Sequence, residues 1–218
     1  MSFLGMNAHV VARIFGKLMS RLGHDIYCVQ GGDWCSTITT FMGLLLPEHV
    51  KGLHINMVVD VNPPIQLIIG SYFPSLFLPA NHDHHRVSVY NLEKFSNVTR
   101  LDSEDGGLND EWLLDDLLNN VMVYWINGNM ASAMRFYKEN MPLSVDDINK
   151  CQIKVPSGIA DFPGEMLNQP ETWARYKYIN LLQYNSMPRG GHFAALEEPQ
   201  LLTEDIRIFI RKVETLYK

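Results

Sequence analysis

The architecture of this chain follows from seven residues, Gln30-Gly31-Gly32-Asp33-Trp34-Cys35-Ser36. The apolar run 26–29 precedes them and the apolar run 38–46 follows them, a pattern that predicts a strand, a sharp turn and a helix. A nucleophile elbow requires small residues on both sides of Asp33, because its central residue has a strained backbone conformation. The alternative is an ordinary loop in which Asp33 is the N-cap of the following helix.

The central residue of the predicted elbow is a carboxylate instead of a serine hydroxyl. The side chain of Asp33 needs no general base to become a nucleophile, since an aspartate is ionised at neutral pH. Its attack on carbon forms an ester, which a second step must hydrolyse. An elbow at this position therefore predicts a carbon electrophile as the substrate, either an epoxide or an alkyl halide.

Length and composition are typical of one globular domain. The chain has 218 residues, 46 % of them hydrophobic and 19 % charged, which suffices for a sizeable core but not for two complete domains. The net charge of −6 and the lack of a basic cluster argue against a nucleic-acid partner. Cys28, Cys35 and Cys151 match neither a zinc site nor a disulfide framework, so we expect reduced thiols in the core of a cytosol-facing protein.

The first 59 residues are predicted to belong to the core of the domain. Hydrophobic periodicity indicates a helix at 7–22, a strand at 26–29, a helix at 34–46 and a strand at 52–59. Strand, helix and strand in this order predict a parallel pair joined by a crossover.

Residues 60–146 are predicted to form a lid or cap insertion. From residue 60 to about 109 the regular pattern is lost among prolines and glycines, and two helices follow at 111–126 and 129–140. An irregular insertion after a strand of an open parallel sheet is where a lid over an active site leaves the core.

Residues 147–218 are predicted to return to the core. They contain a strand at 151–156, a helix near 171–178, a strand at 181–184 and a closing amphipathic helix that begins near Pro199. The chain is therefore interpreted as one domain of the α/β class with a single large insertion.

Three reactive side chains follow predicted strands in an informative order. Asp33 comes first, an acid after the third strand comes second and His192 after the fourth strand comes third, which is the nucleophile, acid, histidine order of the α/β-hydrolase fold. Asp161 and Glu165 are both candidates for the acid. Gly190-Gly191 would let the backbone turn the imidazole of His192 toward the elbow as a general base. The alternative for His192 is an ordinary surface histidine.

Four longer motifs extend this pattern: Gln30-Gly-Gly-Asp-Trp34, Lys51-Gly-Leu-His-Ile-Asn-Met57, Arg135-Phe-Tyr-Lys-Glu-Asn140 and Arg189-Gly-Gly-His-Phe-Ala-Ala195. Together they resemble the microsomal epoxide hydrolases, particularly the juvenile hormone epoxide hydrolases of insects, over residues 7–212. The resemblance implies the C-terminal half of an α/β-hydrolase fold, with a parallel sheet, helices on both faces and a helical lid insertion. It also implies a hydrolase that acts on ether bonds and needs neither a cofactor nor a metal.

The resemblance implies a role for each motif residue. Asp33 matches the nucleophile that attacks an epoxide carbon, and Tyr137 matches a lid tyrosine that donates a proton to the epoxide oxygen. His192 matches the general base that activates water, and Glu165 matches the carboxylate that orients it. The backbone N–H of Trp34 would form half of the oxyanion hole. Without the resemblance, Tyr137 is interpreted as an ordinary core residue of its helix.

Two parts of the family pattern have no counterpart in this sequence. One is a membrane anchor with the first half of the sheet, including a His-Gly-Trp-Pro turn that supplies a second oxyanion donor. The other is a lid stretch between Ser71 and Tyr90 with a second tyrosine. Loss of one oxyanion donor costs about 10²- to 10³-fold in rate, so we expect slow turnover from an amino-terminally truncated chain. The strand 26–29 would lie at an exposed sheet edge, which predicts contact with a second copy or, peripherally, with a membrane.

Three functions fit these residues. The first is an epoxide hydrolase that uses water to convert an apolar epoxide, such as juvenile hormone, to its diol through an ester on Asp33. The second is an inactive or weak truncated homologue that binds lipophilic epoxides. The third is a haloalkane dehalogenase in which Trp34 holds the halide, although the lid tyrosine Tyr137 argues against it.

The resemblance also implies a cellular location. It points to the cytosolic face of the endoplasmic reticulum membrane, and to a role in detoxification and the catabolism of aromatic hydrocarbons. If this chain is the whole product, we expect a soluble protein in the cytosol instead. The longest apolar stretch, 65–78, is interrupted by Gly70 and Pro74 and is too short to span a membrane. The histidine run 82–85 has no second ligand group, so we expect a solvated loop instead of a metal site.

Overall fold

The computed structural model of the protein describes three ranges of the chain, residues 7–58, 114–140 and 151–218. The chain divides into two compact units: Asn7–Asp60 with Val145–Lys218, and Met1–Met6 with Val61–Ser144. The first contains a parallel sheet and is called the sheet unit. The second contains two described helices and is called the helical unit.

Several predictions concern residues outside the described ranges. They are the irregular insertion up to residue 109, the apolar stretch 65–78, the lid stretch between Ser71 and Tyr90 and the histidine run 82–85. The assignment of residues 60–146 to a lid stays a prediction. In the part of the chain that the structure describes, no helix is long and apolar enough to cross a membrane.

A four-stranded parallel sheet forms the centre of the sheet unit. Its strands are β1 Tyr27–Gly31, β2 Val50–Ile55, β3 Ser157–Asp161 and β4 Leu181–Ser186, and they lie in the order β1-β2-β3-β4. Gly31 pairs with Ile55 and Asp161 with Ser186, so the strands end at one common edge, where side chains from the following loops meet. This arrangement confirms the predicted parallel sheet, and β1 is an outer strand among the four.

Helices cover both faces of this sheet, as the sequence predicts. The described helices are α1 Ala8–Arg21, α2 Trp34–Leu45, α3 Leu114–Asn127, α4 Met130–Asn140, α5 Glu171–Lys177, α6 Ala194–Glu197 and α7 Pro199–Leu216. On β2, a Cβ on Gly52 would lie 3.0 Å from Val213 of α7, whereas the next side chain, Leu53, lies 3.2 Å from where a Cβ on Gly43 of α2 would stand. Consecutive strand residues point to opposite faces, so α2 and α7 lie on opposite sides of the sheet.

The third strand begins later than the sequence predicts. The prediction places a strand at 151–156, whereas Ile153 forms only an isolated bridge and β3 starts at Ser157. The prediction is wrong because Gly158 is typical of a turn in sequence, while in the structure it serves packing. A Cβ on Gly158 would lie 2.6 Å from the ring of Phe209, so α7 can approach β3 only where a side chain is missing.

The described part of the helical unit consists of α3 and α4, which correspond to the two helices predicted at 111–126 and 129–140. Gly128 joins them with φ of 56°, a conformation that favours glycine after a helix. On α3, Leu117 and Val121 are both buried, as expected for residues four positions apart on one helix face. Tyr137 lies on α4 and is half-buried.

Candidate active site

Asp33 occupies a strained turn between β1 and α2. Its backbone has φ of 47° and ψ of −130°, and it is the only non-glycine residue with a positive φ among those described. Such a conformation costs about 1–3 kcal/mol and persists only where surrounding contacts hold it. The N–H and the hydroxyl of Ser36 both donate to the carbonyl oxygen of Asp33, at 3.0 and 2.6 Å. The backbone of the turn is therefore held by hydrogen bonds that do not involve the Asp33 carboxylate.

The contacts around Asp33 distinguish an elbow from an ordinary N-cap. The carboxylate makes no capping hydrogen bond to α2, which an N-cap side chain would make. A Cβ on Gly31 would lie 2.4 Å from the carbonyl oxygen of Cys35, and a Cβ on Gly32 would lie 2.7 Å from the side-chain amide of Asn56. The two glycines allow the turn to close, which is the geometry of an elbow.

His192 approaches the elbow from the loop after β4. Before it, Gly190 has φ of 97°, a conformation that favours glycine, and its carbonyl oxygen accepts a hydrogen bond from the N–H of Gly164 at 2.9 Å. After it, the N–H of Phe193 donates to the carboxylate of Glu197 at 2.9 Å. Hydrogen bonds on both sides therefore hold the imidazole in place, with its side chain 6 % exposed.

Glu165 is the acid that contacts this imidazole. Its two carboxylate oxygens lie 2.9 and 3.0 Å from Nδ1 of His192, and Oε1 also accepts a hydrogen bond from the N–H of Met166 at 2.7 Å. The other candidate, Asp161, accepts a hydrogen bond from the hydroxyl of Ser186 at 3.5 Å, and burial raises its pKa. Of the two acids, Glu165 is the one whose geometry can orient the ring and stabilise an imidazolium.

The second ring nitrogen of His192 faces the elbow. Its Nε2 lies 3.8 Å from Oδ2 of Asp33, which is longer than a hydrogen bond. The side chain of Asp33 is 46 % exposed and that of Glu165 is 1 % exposed. The three groups thus form a line with an accessible carboxylate at one end and a buried one at the other, so a substrate can reach Asp33 while Glu165 stays shielded from water.

The two carboxylates control the protonation of His192. Burial of the imidazole lowers its pKa, but the negative charges of Asp33 and Glu165, together with the hydrogen bond to Glu165, outweigh burial and raise the pKa of His192 to about 10. The ring is therefore an imidazolium at neutral pH as long as both carboxylates carry their charge. Partial burial, together with the charge of Asp33, also raises the pKa of the neighbouring Cys35 thiol, so Cys35 stays protonated and is a poor nucleophile. The prediction of core thiols is wrong, because all three cysteines are free but exposed.

The remaining predicted site residues lie on helices. Trp34 is the first residue of α2 and directly follows Asp33, the position at which an elbow provides an oxyanion donor. Tyr137 lies on α4 of the helical unit. The chemical roles of both residues stay predictions. In the three described ranges, no group of His, Cys, Asp or Glu side chains is arranged to hold a metal ion.

Sequence reasoning missed one residue that supports the elbow. The side-chain oxygen of Asn56, just after β2, accepts a hydrogen bond from Nε2 of Gln30 at 3.1 Å. Its backbone N–H donates to the carbonyl oxygen of Gly31 at 3.3 Å, so both contacts tie β2 to the strand that leads to Asp33. Asparagine is common in loops, so an asparagine after a strand does not by itself indicate a supporting role. The position of Asn56 in the motif 51–57 is the only sequence signal that points to such a role.

Curated proteins match nearly the whole of this chain, although no family model matches it. Epoxide hydrolase 1 of Oryctolagus cuniculus is 38 % identical over 256 residues, which cover 96 % of this chain and 56 % of that protein. Juvenile hormone epoxide hydrolase 1 of Ctenocephalides felis is 34 % identical and covers 98 % of this chain and 55 % of its own length. The chain thus spans about half the length of the curated relatives it matches. The 256 matched residues exceed the 218 residues present here, so the rabbit protein has additional residues within the matched region.

Solved structures show the same fold. The crystal structure of the juvenile hormone epoxide hydrolase from the silkworm Bombyx mori superposes with a TM-score of 0.82 at 29 % identity, and covers 100 % of this chain and 62 % of that one. The epoxide hydrolase of Aspergillus niger superposes with a TM-score of 0.74 at 21 % identity, over 98 % of this chain and 59 % of the fungal one. These similarities confirm the predicted α/β-hydrolase fold, of which this chain forms a part.

Proposed function

Because this chain belongs to the family of epoxide hydrolase 1 and the juvenile hormone epoxide hydrolases, we propose that it hydrolyses an apolar epoxide, such as juvenile hormone, to its diol. The single observation that carries the proposal is the line of three groups, in which Glu165 binds Nδ1 of His192 and Nε2 lies 3.8 Å from Asp33. A carboxylate at an elbow attacks carbon to give an ester, and an imidazole beside it can activate the water that cleaves this ester. Water is the second substrate, and the proposed reaction uses no cofactor.

In the first step Asp33 opens the epoxide. One carboxylate oxygen attacks an epoxide carbon from the side opposite to the ring oxygen, the C–O bond breaks and the ring oxygen becomes an alkoxide. The phenol of Tyr137 is the proposed proton donor, because a phenol with a pKa of about 10 is far more acidic than the alcohol that forms. The tyrosinate then regains a proton from water.

Formation of the ester changes the charge beside His192. The ester of Asp33 is neutral, so one of the two groups that raise the pKa of His192 is lost and the pKa falls below its initial value of about 10. The fraction of His192 that is neutral at a given pH therefore rises, and in this neutral form Nε2 can accept a proton from a water molecule.

In the second step this water attacks the carbonyl carbon of the ester. Glu165 stabilises the imidazolium that forms again, and the backbone N–H of Trp34 is proposed to bind the oxyanion. Collapse of the tetrahedral intermediate breaks the ester C–O bond and releases the diol, which takes up the proton from the imidazolium. The Asp33 carboxylic acid that remains then gives its proton to Nε2 of His192, which restores both the carboxylate and the imidazolium. One oxygen atom of water thereby enters the carboxylate, while the epoxide oxygen leaves in the diol.

Two other functions share a feature with the proposed one. The first shares the ester intermediate, and the second shares the binding of an epoxide. A haloalkane dehalogenase would form the same ester and release a halide, but the matched relatives carry the name epoxide hydrolase, which favours the epoxide. A catalytically weak homologue that binds lipophilic epoxides is the second alternative; the matched region spans 56 % of the rabbit relative. These two alternatives are separable in one experiment.

Single-turnover mixing with intact-mass detection tests the proposal. Protein in excess over a juvenile hormone epoxide should form a transient ester in wild type, a persistent ester in His192→Ala and none in Asp33→Asn, because the last variant lacks the nucleophile. A chloroalkane of similar chain length serves as the substrate of a dehalogenase. If a folded wild-type sample binds the epoxide without forming an ester, the weak binding homologue is correct and the hydrolase is not.

We also propose that α1 and the outer strand β1 contact either a second copy of the chain or the surface of the endoplasmic reticulum membrane. Three apolar side chains of α1 and that of its C-cap residue are 41–61 % exposed: Ile14, Phe15, Leu18 and Leu22. The family resemblance supports the cytosolic face of that membrane and a role in detoxification and the catabolism of aromatic hydrocarbons. Light scattering measures the oligomeric mass, and sedimentation with liposomes measures membrane binding. A monomer that stays off liposomes contradicts the proposed contact.

A further inference from the structure

A second pair of histidine and carboxylate lies under α7, separate from the pair formed by His192 and Glu165. Nε2 of His54 and Oδ2 of Asp205 are 2.8 Å apart, and their side chains are 1 % and 3 % exposed. The other carboxylate oxygen of Asp205 accepts a hydrogen bond from the side-chain amide of Asn185. No step of the proposed reaction uses this buried charge, so it needs another explanation.

Asp205 joins two strands that are not neighbours. His54 lies on β2 and Asn185 on β4, while β3 lies between these strands. On β4, Nε2 of Gln183 also donates to the backbone carbonyl oxygen of Asp205 at 3.0 Å. The β3 residue that pairs with both His54 and Gln183 is Gly158, which has no side chain. The contacts of Asp205 therefore join β2 to β4 through α7, in addition to the backbone ladders through β3.

Each of these strands leads to one half of the candidate active site. Two residues after His54, β2 is followed by Asn56, which hydrogen-bonds to the strand leading to Asp33. β4 leads directly to the loop that carries His192. On α7, Leu202 packs in one buried cluster with Ala194, two residues after His192. A change in the position of α7 would therefore alter the position of His192 relative to Asp33, whose turn is held by its own hydrogen bonds to Ser36.

The chemistry of the network favours a role in geometry. Burial alone raises the pKa of Asp205, but the hydrogen bonds from His54 and Asn185 outweigh burial and lower the pKa, so the carboxylate is ionised. A buried carboxylate and its hydrogen-bond partners add little net stability compared with well-packed apolar residues of similar volume. Its directional hydrogen bonds instead select one arrangement of the segments they join.

We infer that Asp205 is a positioning residue of the active site, which joins β2 to β4 and thereby keeps Nε2 of His192 facing Asp33. The kinetic consequence of this inference rests on the proposed function. A misplacement of a catalytic group by about 1 Å changes a rate by about 100-fold. Ester hydrolysis, in which His192 moves a proton, is therefore more sensitive to Asp205 than ester formation is.

The substitution Asp205→Asn tests whether Asp205 affects ester hydrolysis more than ester formation. It keeps the size of the side chain but turns one acceptor into an N–H donor that faces another donor, on His54 or Asn185. In single-turnover reactions we expect ester hydrolysis to slow by about 10- to 100-fold, with ester formation nearly unchanged, so that the ester accumulates. The inference is overturned if both steps slow equally or if neither step slows.

Two further variants keep this test decisive. Glu204→Gln also removes a carboxylate from α7, but at an exposed position, so both rates should stay at the wild-type value. Asn185→Ala removes one arm of the network and leaves His54 and Asp205 in contact. If Asp205→Asn yields too little folded protein, Asn185→Ala must show the same selective slowing of ester hydrolysis for the inference to stand.

A titration without substrate separates this inference from the proposed function. Long-range ¹H–¹⁵N NMR of the His192 imidazole should give a pKa of about 10 in wild type and in Glu204→Gln. In Asp205→Asn the pKa should fall as the ring moves relative to Asp33 and Glu165, the two charged groups that raise it. An unchanged pKa together with a lower Tm gives Asp205 a merely structural role and overturns the inference. Wild type that forms no ester contradicts the proposed function alone, because the titration still reports on Asp205.

Discussion

Replacing Asp33 by asparagine imitates the charge of the ester intermediate, and we expect this change to lower the pKa of His192. Asparagine has nearly the same shape and is among the side chains that tolerate a positive φ, which matters at a φ of 47°. The substitution therefore removes one negative charge 3.8 Å from Nε2 and leaves the turn intact.

The size of the effect follows from that distance. Two unit charges 3.8 Å apart interact by about 1 kcal/mol in water and by about 4 kcal/mol at an effective dielectric constant of about 20. One pKa unit corresponds to about 1.4 kcal/mol, so the pKa of His192 should fall by about 1 to 3 from its value of about 10. The Asp33 side chain is 46 % exposed, and solvent screening moves the expected fall toward the lower end of this range.

NMR titration of the imidazole through the neutral and alkaline range measures this pKa directly. Asp25→Asn is the matched control, because it removes an aspartate charge at an exposed position before β1 and should leave the pKa of His192 unchanged. If the pKa in Asp33→Asn stays near 10, the charge of Asp33 does not control the ring. Ester formation would then not raise the fraction of His192 that is present as the neutral base, and the proposed second step would be refuted.

Three further outcomes are expected. Glu165→Gln should lower the pKa of His192 and slow ester hydrolysis by about 10²- to 10⁴-fold. Intact-mass measurements should then show that the ester accumulates, and rapid loss of the ester would contradict the role of Glu165. The pKa of His192 rises from 6.5 to about 10 on folding, so its contribution to the free energy of unfolding is complete below pH 6.5 and is lost as pH rises through 10. Urea unfolding at several pH values should show this decline, and His192→Gln should flatten it. Gly158→Ala should lower the free energy of unfolding by about 1–3 kcal/mol through overpacking, since the new Cβ would lie 2.6 Å from the ring of Phe209; an unchanged urea midpoint would contradict the packing of α7 on β3.

The elbow is the part of the site that was most open to prediction from the sequence. Two apolar runs around Gly31, Gly32 and Asp33 are local signals, and local signals identify a strand, a turn and a helix without knowledge of the rest of the chain. The same kind of signal was misleading at Gly158, which is typical of a turn in sequence but belongs to β3. Its small size is required by Phe209, a residue of the last helix. Local patterns contain no information about such a distant neighbour.

The sequence by itself determined that this is a parallel α/β chain with a carboxylate at its elbow, followed by loop acids and a histidine, because periodicity, turn residues and chain order suffice for those statements. From the residues alone, Asp161 and Glu165 were both candidates for the acid that contacts the histidine. The tertiary structure decided which of them contacts Nδ1 of His192, through two loops that hydrogen-bond to each other after β3 and β4. Only the tertiary structure shows that His54 contacts Asp205, which lies 151 positions away in the sequence. Contacts of this kind depend on strand order and helix packing, which emerge only when the whole sheet unit buries its core.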